Sequence, residues 1–348
     1  MRQDLVPDTS DSAASTSSPC PAKLGRFLRE QNLLVILAVL VIVSSWASPV
    51  FFTVTNLMNL ARQASYVGII SVGMTYVALT GGLDLSVGAV VAFSGVFLAY
   101  LFHYGIYSGY VLTLNPMFPT PVIVVLTLLT GAIFGFVNGF LVAKMKLAPF
   151  VVTLGTMVAA RGMAYSLAGG RTIFGIGPEL EFLGTGFVGR VPVPVIIWLG
   201  AAIVAQLVLR FTIYGRRIYA VGGEEEAARL SGIEVDWYKI SAYVVSGLMA
   251  ALVGILMAAR IDQGEPRQGE GYELDAIAAV VIGGTSLFGG RGAVTGTVIA
   301  CFVLAIITNI LNLMGVHPFP QQIAKGAIII GGIMMQRLVE RDTRQGRA

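Results

Sequence analysis

Leu33-Leu34-Val35-Ile36-Leu37-Ala38-Val39-Leu40-Val41-Ile42-Val43-Ser44-Ser45-Trp46-Ala47-Ser48-Pro49-Val50-Phe51-Phe52 is a run without a single charge. As a helix it reaches about 30 Å, the thickness of a bilayer's hydrocarbon core. Further apolar runs stand at Leu57–Thr80, Leu85–Phe102, Pro121–Ala143, Pro149–Ala168, Val193–Leu209, Ile240–Ala259, Leu274–Leu287, Val294–Met314 and Pro320–Met335. Of 348 residues, 55% are hydrophobic and 12% charged, with a mean hydropathy of +0.79, whereas soluble domains carry about 25% charged residues. A soluble core of this length cannot hide so much apolar surface. The reading is an all-α polytopic membrane protein of about ten transmembrane helices.

Residues 1–31 open with a Ser-, Thr-, Pro- and Asp-rich stretch that reads as a disordered tail. No small-residue cleavage site comes after the first apolar run, so this run reads as a span and not as a cleavable signal. The membrane region is expected over 32–337, with a polar loop at about 210–239, and a short tail at 338–348. Basic residues fall mostly on one set of alternate loops, among them Lys23, Arg26, Arg29, Lys144, Lys146, Arg210, Arg216, Arg217, Lys239 and Arg291. That bias puts both termini and the 210–239 loop in the cytoplasm. The outer loops are then 103–120, 169–192, 260–273 and the turn at Val316-His317-Pro318. A net charge of +4 needs no nucleic acid to account for it, and Cys20 and Cys301 lie in settings too different for a disulfide or a metal site.

Within the polar loop stands Val221-Gly222-Gly223-Glu224-Glu225-Glu226-Ala227-Ala228-Arg229-Leu230-Ser231-Gly232-Ile233. The glycine pair interrupts the segment before it, and glutamates suit the positive end of a new helix. Gly232 is placed for a left-handed cap. About eight helical residues are too few to be stable alone. The segment is either a solvated loop with a charge cluster or a helix on which a soluble partner docks, with Ala227 and Ala228 allowing close approach.

Four ordered motifs carry a resemblance: Gly81-Gly82-Leu83-Asp84-Leu85-Ser86-Val87-Gly88, Pro149-Phe150-Val151-Val152-Thr153-Leu154-Gly155-Thr156, the glycine–glutamate insert at 221–233, and Ile282-Gly283-Gly284-Thr285-Ser286-Leu287-Phe288-Gly289-Gly290-Arg291-Gly292. Together they resemble the permease subunits of ribose-, xylose- and arabinose-type ABC sugar importers, over about residues 32–337. Where that family usually carries Asn after the glycine pair, Glu224 stands here. The resemblance implies a ten-helix importer fold in a bacterial inner membrane. It implies two permease copies or paralogues, cytoplasmic ABC ATPase subunits and an extracytoplasmic sugar-binding protein. Gly222, Gly223, Glu226, Ala227, Ala228, Arg229, Leu230 and Gly232 would then couple the chain to its ATPase. ATP and Mg would belong to that partner, with no cofactor held by this chain.

The residues themselves agree on one exclusion. Gly284 and Gly289 have the outer spacing of a phosphate-binding loop, but Gly290 and Arg291 stand where Lys and Ser or Thr are needed, and no strand precedes them. The chain thus reads as a transport subunit without an ATPase site, and not as an enzyme. Gly289 and Gly290 fit a sharp reversal or close helix packing better. Ion coupling is the rival class, yet most spans lack Asp, Glu, Lys and Arg, which disfavours a proton relay. Gly81 and Gly82 end the second span. Asp84 next to them either caps the next helix through the amide of Ser86 or Val87, or meets the solute. A path for an uncharged hydroxylated solute needs amides and hydroxyls, for which Asn138, Thr153, Asn309 and Asn312 are the candidates, with Thr156, Thr308 and Gln321 behind them. Each has the alternative of bonding a neighbouring helix. A monosaccharide is the expected cargo, with a nucleoside or similar solute as the alternative within the same architecture.

Overall fold

The computed structural model describes residues 32–103, 118–317, 319–323, 326–327 and 330–331. The expected tails at 1–31 and 338–348, most of the outer loop 103–120, Pro318 and part of the tenth run at 320–335 lie outside the described residues. The helices are α1 (Asn32–Ala47), α2 (Val54–Leu79), α3 (Val87–His103), α4 (Thr120–Ala143), α5 (Pro149–Leu167), α6 (Pro178–Thr185), α7 (Val193–Phe211), α8 (Ile213–Gly223), α9 (Glu225–Leu230), α10 (Val235–Ile261), α11 (Tyr272–Ile282) and α12 (Val294–Leu313). Two-residue strands β1 (Ile173–Phe174), β2 (Phe187–Val188), β3 (Val191–Pro192) and β4 (Gln263–Gly264) complete the elements. Strand β1 pairs antiparallel with β4, and β2 with β3.

The centre of the bundle is α2, in which every residue from Gly68 to Leu79 is buried. A helix apolar on all sides belongs inside protein or lipid. The Trp198 indole of α7 fills the space where Gly68 lacks a side chain, and Gly73 lies against the Ser246 backbone of α10. On α4, Gly131, Gly135 and Gly139 form one face at four-residue spacing. A methyl on any of them would run into the backbone of Gly247, Tyr243 or Ile240 on α10. Small residues that let backbones meet hold helices together in lipid, where apolar side chains gain nothing by leaving hydrocarbon.

Among the described residues, five helices, α4, α5, α7, α10 and α12, are long and apolar enough to cross a membrane, and α1 and α3 are shorter apolar helices. The outward faces of the bundle carry Ile133, Val151, Val158, Ile203 and Val204, all exposed. In water this would be a liability, but in lipid it is the expected surface.

Two ends of the bundle differ. At one, the segments 80–86, 144–148, 212–234 and 283–293 meet. At the other, β1 and β4 pair, Gly184 of α6 sits on Arg260, and Arg161 of α5 donates to the carbonyls of Pro266 (2.7 Å) and Gln268 (2.9 Å).

The eighth span expected over 274–287 requires correction. α11 has eleven residues, a length of about 16 Å, roughly half a bilayer core. Its stop is built in. Gly284 adopts φ +82°, and the amides of Gly284 and Thr285 donate back to the carbonyls of Val281 (3.0 Å) and Val280 (3.1 Å), the paired bonds of a left-handed glycine cap. Beyond the cap the chain is coil, with Thr285 and Ser286 buried. Irregular backbone at membrane depth persists only when covered by protein. Gly283 provides the cover, lying so close to Gly296 and Thr297 of α12 that a methyl would be 2.6 Å from the Thr297 amide nitrogen.

Candidate functional site

Three glycine pairs, far apart in the chain, converge at one point. The same left-handed cap that ends α11 ends α2: Gly81 has φ +75°, and the amides of Gly81 and Gly82 return to the carbonyls of Ala78 (2.9 Å) and Val77 (3.0 Å). That leaves the Leu79 carbonyl, one of the orphan acceptors at a helix end. The Gly290 amide satisfies it at 3.0 Å. Gly222 is threaded between them: a β-carbon there would lie 1.7 Å from the Leu79 oxygen and 2.6 Å from the Gly290 nitrogen. Gly289 and Gly290 stack on the backbone of Gly222 and Gly223 with φ of +92° and +73°. Tyr219 of α8 adds a hydrogen bond from its hydroxyl to the Gly292 carbonyl (2.8 Å). Gly222 and Gly223 are the last two residues of α8, so they end the helix from within, and of the two it is Gly222 whose missing side chain permits the close backbone contact.

The insert continues as α9, six residues and not the eight expected. Gly232 closes it with φ +78°, and the amides of Gly232 and Ile233 donate to Arg229 (3.0 Å) and Ala228 (3.1 Å). Its inner face is Ala228, 4% exposed. The expectation that Ala228 meets a partner is therefore corrected: the residue packs on its own chain, because Ile233 and the start of α10 fold back beneath it. The outward face is Glu226, Ala227 and Leu230, the last 88% exposed.

Charge fixes how α9 sits. Glu225 pairs with Lys239 of α10, and with Lys146 and Arg229, each at 3.4 Å. Asp236 pairs with Lys144 and with Arg229, each at 3.0 Å. Partial burial opposes ionisation of Glu225, but the hydrogen bond and charge of Lys239, joined by Lys146, outweigh it and hold the carboxyl below the usual range. One glutamate of the cluster thus braces the insert against the 144–148 loop and α10.

Beside the glycine junction, Asp84 is buried but not unsatisfied. One carboxylate oxygen accepts from the Ser86 amide (3.0 Å) and hydroxyl (2.6 Å), and the other from the Ser246 hydroxyl of α10 (2.8 Å). Burying a charge is tolerable only with such bonds. The network extends outward: Asn138 of α4 donates to the Ser86 oxygen (2.9 Å), and Thr156 of α5 donates to Asn138 (2.6 Å). The Leu83 carbonyl accepts from Thr153 and Tyr243, each at 3.3 Å. Asp84 thus caps through Ser86 and also ties α3 to α10.

The path candidates are placed differently from their expectation. Asn138 and Thr153 are fully buried and occupied by bonds to Ser86, Thr156 and Leu83, so they do not line an open route in this structure. Asn309 exchanges two hydrogen bonds with Asn56 of α2 (3.1 and 2.8 Å), and Asn312 accepts from Gln321 (2.7 Å). Amides meet each other across helices because lipid offers them nothing else. Sequence reading missed the α4 glycine face, visible as Gly131, Gly135 and Gly139, and missed Lys144, Lys146 and Lys239 as partners of the insert. Among the described residues no group of His, Cys, Asp and Glu is arranged to hold a metal ion.

The chain matches the family model for the permease component of the branched-chain amino acid transport system over residues 56–336. It is 40% identical over 316 residues to the ribose import permease protein RbsC of Haemophilus influenzae, covering 90% of this chain and 94% of that one. It is 41% identical over 317 residues to RbsC of Bacillus subtilis, covering 90% and 92%. Identity to the L-arabinose transport system permease protein AraH of Escherichia coli is 36% over 348 residues, covering 97% and 98%. No solved structure matches the chain.

Proposed function

We propose, from the premise that this chain belongs to the family of transport-system permease components matched over residues 56–336, that it is the membrane-spanning permease subunit of an ATP-binding-cassette importer for a monosaccharide. The observation that carries the reading is full-length similarity to ribose and arabinose permeases, at 36–41% identity over nine-tenths or more of each chain. Relatives named for ribose and for arabinose leave the particular sugar open between them.

Coupling would run through backbone contact. ABC ATPase subunits, carrying the ATP and Mg, would seat α9 by Glu226, Ala227 and Leu230. Displacing α9 moves Gly222, and with it the Leu79 end of α2 and the 286–292 turn, because these backbones touch. A binding protein delivers the sugar at the opposite end, beside α6 and the short strands. Two permease copies complete the assembly, with about ten crossings in each and both termini in the cytoplasm.

Reconstituted with its ATPase and binding protein, the chain should take up D-ribose or L-arabinose only with ATP, and continue after ionophores collapse proton and sodium gradients. Uptake by this chain alone, driven by an ion gradient, would refute the reading. Orientation is tested separately by Glu226→Cys and Arg190→Cys, which an impermeant thiol reagent should label from opposite faces, the former from the cytoplasm.

A further inference from the structure

Consecutive helices usually pack on each other, yet among the described residues α1 packs on α12 and makes no comparable contact with α2. Between α1 and α2 lies a groove of ≈ 280 Å³ that opens on the outer surface of the bundle. Leu37 and Val41 of α1, Leu60 and Ala61 of α2, Phe302 of α12 and Phe51 of the 48–53 turn line it, and the remaining lining residues are likewise apolar. Its shape is fixed by the fold. Phe51 is 1% exposed, and its carbonyl accepts from the Asn56 side-chain amide at 2.9 Å. Trp46, at the end of α1 and 91% exposed, suits the headgroup level of a bilayer. Leu37 and Val41 then lie about 7–14 Å deeper along the helix axis, within one leaflet's share of a hydrocarbon core about 30 Å thick.

We propose that this groove holds one acyl chain of a membrane phospholipid, wedged between α1 and α2, and that the acyl chain completes the docking of α1. The inference goes beyond the transport reading and needs only that the protein lies in a membrane. Water finds no hydrogen-bonding partner among these side chains, and a space left unfilled forfeits the dispersion contacts of everything that lines it. In a bilayer two apolar occupants remain, a lipid chain or a helix of a second copy. Helices in this molecule meet through glycines, as Gly131, Gly135 and Gly139 of α4 do on the α10 backbone, which is how helices approach closely in lipid. The groove offers Ala61 as its one small residue. A second helix, about 10–12 Å across with its side chains, is held off by the leucine and phenylalanine walls, whereas a single file of methylenes enters between them.

Trp198 reports on the groove from inside the bundle. It is fully buried, and its ring lies 5.0 Å, centroid to centroid, from that of Phe302 in the groove wall. With Trp46→Phe and Trp237→Phe, it is the one tryptophan left in the full chain. In vesicles of phosphatidylethanolamine and phosphatidylglycerol whose acyl chains are brominated at mid-length, Trp198 fluorescence should be quenched relative to the same vesicles without bromine, which acts only near contact. Ala61→Phe, or Val41→Phe from the opposite wall, fills the groove and should remove most of that quenching, with an unchanged emission wavelength showing that Trp198 stays buried in a folded chain. In lipid-free detergent the filled variants should melt above the parent and gain less when phospholipid is added, because a ligand stabilises only the fold that binds it. Quenching that is absent from the parent, or equal in the parent and the filled variants, overturns the proposal and leaves the groove to a second copy or to nothing. So does a parent whose melting temperature rises no more on adding phospholipid than that of the filled variants.

Discussion

Gly222→Ala places one methyl group into the tightest backbone contact of the molecule. The new carbon would stand 1.7 Å from the Leu79 oxygen and 2.6 Å from the Gly290 nitrogen, atoms now joined by a 3.0 Å hydrogen bond. Neither neighbour is the tip of a flexible side chain, so relief requires moving α8 or the 286–292 turn. Overpacking of this kind costs about 1–3 kcal/mol. Parting the Gly290 amide from its acceptor in a buried setting adds about 1–3 kcal/mol. The sum is roughly 2–6 kcal/mol, reduced by up to about 1 kcal/mol of helix propensity gained on replacing glycine. Gly223→Ala is the control, because nothing lies within 4 Å of a methyl there, and it should be neutral or slightly stabilising. Denaturation of the purified chain in mixed micelles measures both. Gly222→Ala should lower stability by more than a kilocalorie and transport with it, while Gly223→Ala changes neither. Equal behaviour of the two variants would refute the junction as the fixed point of the insert.

Leu230→Asp should leave the chain as stable as before and weaken copurification of the ATPase, since Leu230 is exposed and Ala228 is not; Ala228→Trp should instead destabilise the permease itself by about 1–3 kcal/mol. Retention of full ATPase binding by Leu230→Asp would show that this face is not used. The charge cluster gives a pH signature. A carboxyl held low in the folded chain, as Glu225 is, binds fewer protons there than when unfolded, so its stabilisation is complete above the ordinary carboxylate range and is lost as pH falls through the depressed value. Glu225→Gln should therefore cost roughly 0.5–1 kcal/mol at pH 7, as partly exposed pairs do, and progressively less as pH falls below the ordinary carboxylate range and through the depressed value. A difference that persists in acid would mean that the pairs with Lys239 and Lys146 are not its source.

Much of the fold is legible because hydropathy is local. The apolar runs at 121–143, 193–209 and 294–314 each fall on a helix, the run at 33–52 does so only as far as Ala47, and caps at Gly81 and Gly232 arise from glycine's freedom at positive φ. Asp84 is readable as a cap for the same reason, its neighbour Ser86 being two residues away. Features that depend on partners distant in sequence are hidden. Leu79, Gly222 and Gly290 lie in separate segments of the chain, and nothing in any one of them names the others. Ala228 reads as an outward residue because six residues are too few to show a helical period in the sequence. Segment 274–287 reads as one span because buried coil in a membrane protein is as apolar as helix, so composition does not reveal where Gly284 turns the chain.

The abbreviated α11 bears on how the molecule is made. Eleven residues are too few to be held across a bilayer by their own partition energy, and the coil beyond them cannot face lipid. This stretch cannot enter the membrane as an independent step. It must be carried in with α12, to which Gly283 and Gly296 clasp it, and its exposed peptide groups are sheltered only once α2 and α8 are in place. The turn beyond α11 is thus among the last parts of the bundle to close, and burial of Thr285 and Ser286 reports completed biogenesis.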